Sequence, residues 1–331
     1  SMLNNGAAGI SQEQIQQVLG FEGYKIEDIN SYYKKMVEAA GTIDPQVVLE
    51  SANSIWINDG FPVLPEFVSA NKDAFDAEIR NEDFLKPATL DLINAWASEK
   101  THGKIPSILD SLDPATQMLL MNALYFLGDW QNPFDEENTK EESFTNADGN
   151  SKKVAMMNHQ IETYYRYNDK FAMINLPYGN GAFYMQLILP HEQTSMQTVA
   201  ESLASNSIEP VSSSLQGIHA NVSLKLPRFK IDYEITLNDI LKELGMTDPF
   251  DPNLADFSGI SDIPLFISFV KQKATIDVNE KGSEAAAVTV RGMETTVAGP
   301  TEHRNFHIGR PFVFIIRELS TNAIFFMGEV N

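Results

Sequence analysis

Ten successive residues, Met118-Leu119-Leu120-Met121-Asn122-Ala123-Leu124-Tyr125-Phe126-Leu127, include a single polar amide. A run this apolar, and longer than one ordinary strand, reads as a strand in the middle of a large sheet, buried on both faces. The chain must therefore fold so that other elements cover that sheet. The lone Asn122 then needs hydrogen-bond partners where it lies.

Around this run the hydrophobic period switches between helix and strand. A short helix opens with Ser11 as its cap and Glu13 early in the first turn; Ile15, Val18 and Leu19 follow at helical spacing, and Gly20 stops it. Further helices are predicted over 26–40, 65–75 and 88–100. In the last of these Leu92, Ile93, Trp96 and Ala97 share a face, and Gly103 ends the helix. Residues 47–58 turn to β-rich composition through Ile55-Trp56-Ile57. Residues 135–153 read as a polar, acidic connection. Strands are predicted at 154–157, 173–176, 183–189 and 221–229, a helix near 237–244 and a long strand over 266–278. A hairpin of 312–317 with 324–330 turns at Ser320-Thr321-Asn322.

Composition narrows the function. The 331 residues suffice for one large domain or two small ones. They are 43% hydrophobic and 21% charged, too apolar for disorder and without an uncharged run that would span a bilayer. Forty-five acidic against 24 basic residues give a formal charge of −21, which repels nucleic acid, anionic lipid and heparin-like surfaces. The absence of cysteine removes disulfides, thiol nucleophiles and thiolate metal sites together.

Local chemistry is sparse. His102, His159, His191, His219, His303 and His307 are scattered and lack carboxylates at metal-ligand spacing, so no metal or cofactor is expected. No G-x-S-x-G elbow or phosphate-binding glycine loop appears, and Gly179-Asn180-Gly181 reads as a turn. The acidic pairs Glu136-Glu137 and Glu141-Glu142 lie in polar stretches that read as solvated. The chain is not expected to be an enzyme.

One segment stands apart. Residues 279–304 are small, polar and unpatterned, and so long a connection in a folded chain points to function. Within it Ser283, Ala285, Ala287 and Thr289 alternate and are all small, so one face of the run is able to enter a sheet with Gly282 as a hinge. Glu284-Ala285-Ala286-Ala287 also has strong helix propensity, and pattern alone favours a helix or plain loop.

The run Asn279-Glu280-Lys281-Gly282-Ser283-Glu284-Ala285-Ala286-Ala287-Val288-Thr289 closely resembles the hinge of inhibitory serpins. Other blocks follow in the same family order. Ile93-Asn94-Ala95-Trp96 with Thr101, Gly103, Lys104 and Ile105 resembles the end of the helix covering the main sheet. Asn122 to Phe126 through Trp130, Pro133 and Phe134 resembles its third strand, and Arg310-Pro311-Phe312-Val313-Phe314 with Phe326-Met327-Gly328 resembles the closing hairpin. The resemblance, to a serpin expected to be bacterial, implies an α+β fold. It comprises three β-sheets with surrounding helices, formed by 1–331 as one domain, with an exposed reactive loop at 280–305.

The same resemblance assigns roles. Glu280 at the loop base would pair with Arg228 beneath Trp130, where insertion starts. Asn122 would meet Gln272 on the fifth strand of the main sheet, where relatives carry a histidine. The hinge comprises Glu280, Gly282, Ser283, Ala285, Ala286, Ala287 and Thr289. Counting along the loop as the family does puts the scissile bond between Thr296 and Val297, within a range from Met293 to Gly299, with Arg291 the choice only for a short insertion. These side chains suit an elastase-like or subtilisin-like serine protease, with a papain-like cysteine protease as the alternative target. A secreted or periplasmic monomer, able to form loop–sheet polymers, is expected. Met2-Leu3-Asn4-Asn5-Gly6-Ala7-Ala8-Gly9 resembles the end of the second serpin helix, so the chain is expected to lack the first helix, a strand and most of the second helix.

Overall fold

A computed structural model describes residues 1–205, 215–283 and 302–331. They form two compact units, one of residues 1–41, 49–125 and 231–275, the other of 42–48, 126–230 and 276–331. The first contains α1 (Gly9–Val18), α2 (Ile26–Ala40), α3 (Pro65–Phe75), α4 (Pro87–Lys100) and α6 (Asn238–Glu243), with most residues of five strands of a six-stranded sheet. Its order is β2 (Glu78–Glu82), β1 (Val47–Asn58), β3 (Met118–Asp129), β11 (Gly282–Ser283), β10 (Lys271–Val278) and β9 (Phe229–Thr236). Of these, β11 and the ends of β1, β3, β9 and β10 belong to the second unit.

The α4 helix buries Ile93, Trp96 and Ala97 against Trp56 of β1 and Leu119, Met121 and Ala123 of β3. It stops where the Thr101 hydroxyl donates to Ala97 O at 2.7 Å and accepts from Ile105 N at 2.9 Å. His102 and Gly103 follow at φ +51° and +82°. The left-handed turn is natural for glycine and unwinds the helix. The α1 helix departs from expectation at its cap, which is Ala8. Ser11 lies inside the helix, fully buried, and its hydroxyl accepts from Asp256 N at 2.9 Å.

In the second unit β12 (His303–His307), β8 (Gln216–Pro227), β5 (Ser151–Tyr167), β6 (Phe171–Pro177), β7 (Phe183–Pro190), β13 (Phe312–Glu318) and β14 (Ile324–Val330) form one hydrogen-bonded ladder, with β4 (Lys140–Thr145) paired to β5 and α5 (Met196–Ser205) beside it. β5 and β8 run through both halves of this ladder: one end carries β4 and β12, the other leads to β6. β7 and β13 are buried at every position, the signature of strands covered on both faces. Their core packs Phe171, Met173, Ile188, Val313 and Ile315 with Val199 and Leu203. The β13–β14 hairpin closes where the Glu318 carboxylate accepts from Ser320 N and Thr321 N at 2.7 Å and Asn322 takes φ +58°.

Four strand expectations change. β3 is not covered on both faces: Leu119, Met121 and Ala123 are buried whereas Asn122 between them is exposed. The polar connection contains the edge strand β4, where only Phe144 is buried, so its composition hid it. β5 is 17 residues long, four times the run expected, because its Tyr164-Tyr165-Arg166-Tyr167 end mixes aromatic and charged side chains. The strand expected over 266–278 begins only at Lys271; before it, Val270 N donates to Asn238 Oδ1 and Leu237 N to Val270 O, which ties the segment to α6.

Candidate functional site

The chain turns sharply between β10 and β11, and this turn is held at every carbonyl. Trp130 Nε1 donates to Asn279 O at 2.9 Å, Phe134 N to Glu280 O at 2.8 Å and Trp130 N to Lys281 O at 2.7 Å. Asn279 N closes it on Gly282 O at 3.0 Å.

Glu280 points inward from this turn and is 2% exposed. Arg228, at the junction of β8 and β9, sets its Nε at 2.7 Å from both carboxylate oxygens, and the Thr139 hydroxyl donates to Oε1. Burial alone pushes the Glu280 carboxyl up, but the bonds from Arg228 and Thr139 outweigh it and hold the group below the ordinary glutamate value. The same bond raises Arg228.

The next two residues enter the sheet. Gly282 pairs with Asp129 and Ser283 with Gly128 of β3, both antiparallel, and Ser283 also pairs with Val278 of β10. Only glycine fits at 282, since a Cβ there would stand 2.0 Å from Gly128 O and 2.8 Å from Asp129 Cα. Ser283 is fully buried, with Oγ 2.5 Å from the Tyr178 hydroxyl. Tyr178 is itself buried and stacks on Trp130, ring centroids 4.4 Å apart at 13°. Burial pushes its phenol far above the ordinary range, so the group stays neutral. Burial also raises the Asp129 carboxyl, with Lys281 opposing it.

The expected residues thus divide into three groups. Glu280, Arg228, Trp130, Gly282 and Ser283 come together. Among the described residues no hydrogen bond joins Asn122 to Gln272. Asn122 Nδ2 donates to Ser51 Oγ at 3.2 Å, Ala52 O at 3.4 Å and Asn53 Oδ1 at 3.0 Å, all on β1. Ala285, Ala286, Ala287, Thr289, Arg291, Thr296 and Val297, and the range from Met293 to Gly299, lie outside the described residues.

Sequence reasoning missed Thr139, Phe134 as a backbone donor, and Tyr178. Thr139 sits in the acidic connection, and Tyr178 directly precedes the Gly179-Asn180-Gly181 turn; an aromatic before such a turn was the only signal.

A family model described as Serpin (serine protease inhibitor) matches residues 1–331. The chain is a serpin. It is 35% identical to Iripin-8 of Ixodes ricinus, over 98% of this chain and 83% of that protein. The native structure of the thermophilic serpin Tengpin matches with TM-score 0.87 at 33% identity, covering 99% of this chain and 84% of that one. Thyroxine-binding globulin in complex with thyroxine matches with TM-score 0.83 at 27% identity, covering 99% and 88%. The α+β fold is the serpin fold. Iripin-8 comes from an animal, and its likeness lends no support to a bacterial source. Among the described residues no helix is long and apolar enough to cross a membrane.

Proposed function

We propose that this serpin inhibits serine proteases as a suicide substrate. The protease serine attacks the carbonyl of Thr296, the amine of Val297 leaves, and an acyl-enzyme forms. The freed loop then enters the main sheet before water can hydrolyse the ester. All of 1–331 acts as one serpin domain, with 280–305 as the reactive loop.

The observation that carries this reading is β11: Gly282 and Ser283 already pair with β3, and Ser283 also with β10. Continuing the register one residue at a time brings Thr289 opposite both Asn122 and Gln272. Ser283, Ala285, Ala287 and Thr289 then share the Asn122 face, since directly paired residues project to the same side. Small side chains there admit the strand, and the hydroxyl of Thr289 meets two amides able to donate and accept. The Glu280–Arg228 pair and the Tyr178–Ser283 bond hold the hinge at the start of that path.

Thr296 and Val297 suit an elastase-like or subtilisin-like protease. The protein works outside the cell as a monomer, with neither nucleic acid nor membrane as partner, in keeping with its charge of −21. A carrier role is the second reading, favoured by the likeness to thyroxine-binding globulin complexed with thyroxine. Incubation with elastase followed by a denaturing gel separates the two. A covalent band at the summed mass supports inhibition, and a clipped chain alone refutes it.

A further inference from the structure

Behind the hinge turn lies a cavity of about 100 Å³ whose walls include Trp130, Phe134, His159, Ile161, Thr163 and Asn175. His159, Ile161 and Thr163 alternate along β5 and so face the same side. An apolar cavity of about 150 Å³ takes up benzene; this one is smaller, so a single ring fits only by extending past the exposed Gln131 and Asn132 at its rim.

Two polar groups in the wall are unused. Among the described residues Phe134 is the aromatic neighbour of the His159 ring, at 5.4 Å between centroids, and neither ring nitrogen has a hydrogen-bond partner. Burial holds this imidazole below the ordinary histidine range, so it is neutral and offers one donor and one acceptor. Asn175 Oδ1 accepts from Gln186 Nε2 at 3.4 Å, and the Thr163 hydroxyl donates to Asn175 O at 3.4 Å; the Asn175 Nδ2 donor remains. The charged lining residue, Glu162, is exposed and alternates out of phase with His159, Ile161 and Thr163 along β5.

The aromatic walls are the residues that grip the hinge. Trp130 holds the carbonyls of Asn279 and Lys281, and Phe134 holds that of Glu280. A ring packed against both cannot leave them free to move. We propose that this cavity binds a small, planar, uncharged aromatic molecule carrying an adjacent donor and acceptor, and that its occupancy slows release of the hinge. The second part rests on the inhibitory reading; the first does not.

Benzamide is the probe, with benzoate and benzylammonium as charged controls. A ligand of this size is expected to bind the full chain with a dissociation constant of about 1 mM. It should shift the indole resonance of Trp130 and not those of Trp56 or Trp96. It should also slow hydrogen exchange at the Trp130 and Phe134 amides, while the charged rings bind more weakly. His159→Leu should weaken binding about tenfold and abolish the slowing. The wild-type indole shift keeps the test decisive if that variant misfolds. Absence of saturable binding, or shifts at Trp56 or Trp96 alone, overturns the site. Binding without slower exchange overturns the coupling. A chain that forms no covalent complex without benzamide refutes the inhibitory reading separately, and both benzamide measurements still decide the cavity.

Discussion

Glu280→Gln keeps the size of the side chain and removes the charge that Arg228 and Thr139 bind. Removing one partner of a buried ion pair costs about 3–5 kcal/mol. Here Arg228 has a side chain that is 46% exposed, so water takes up its charge once Glu280 is neutral. The lower range for hydrogen bonds to charged groups, about 1.5–3 kcal/mol, then applies. A loss of about 2 kcal/mol multiplies the open population of the hinge about thirtyfold. Hydrogen exchange reads it directly, because the amides of Asn279, Trp130 and Phe134 are the donors that close the turn. Their exchange should quicken by about that factor, whereas β7 and β13 amides stay as they were. Arg228→Gln should act alike, and the double variant should fall short of the sum by about 1–2 kcal/mol. Unchanged exchange in Glu280→Gln, or strict additivity, would refute the idea that this pair holds the hinge.

Four further outcomes are expected. The Glu280 carboxyl titrates below its ordinary 4.5 in the folded chain, so its stabilisation is complete above that value and is lost as pH falls through the lowered one. Exchange at the hinge, corrected for intrinsic rate, should therefore rise only below about pH 4.5, and Glu280→Gln should flatten the profile. Gly282→Ala forces a Cβ into Gly128 O and should cost about 1–3 kcal/mol in a thermal or denaturant melt; a silent substitution would mean that β11 is not seated there. Ser283→Arg places a charge where the native residue is fully buried, so the variant should be clipped by elastase rather than trap it, and an unchanged stoichiometry contradicts insertion. Cleavage within the loop should raise the melting temperature strongly, and equal melting before and after cleavage denies stored energy.

Much of the hinge was legible because its chemistry is local. Gly282 and the small alternating residues after it appear in one run, and the Glu280–Arg228 pair follows from family position. The covering helix α4 was legible through Ile93, Trp96 and Ala97, whereas Leu92, expected on the same face, is exposed. What escaped depends on pairing between distant segments. Asn122 looked like the one polar group of a doubly buried strand, yet its partners lie on β1, and nothing local tells that face from the covered one. Gln272 was placed by family position alone, and the described hydrogen bonds of Asn122 go to β1. Thr139 and Tyr178 act on the hinge across 141 and 105 residues, a reach that no spacing rule encodes. β4 was hidden because an edge strand needs only one buried side chain, Phe144, to be held.

The central claim is that a protease becomes trapped on the loop before deacylation. Mass spectrometry of the products with elastase tests it most directly. Trapping should give a species at the summed mass of protease and the chain up to the scissile bond, with a released fragment beginning at Val297 or elsewhere between Met293 and Gly299. Free active protease beside a chain cut in that same range, with no covalent species at any ratio, would contradict it.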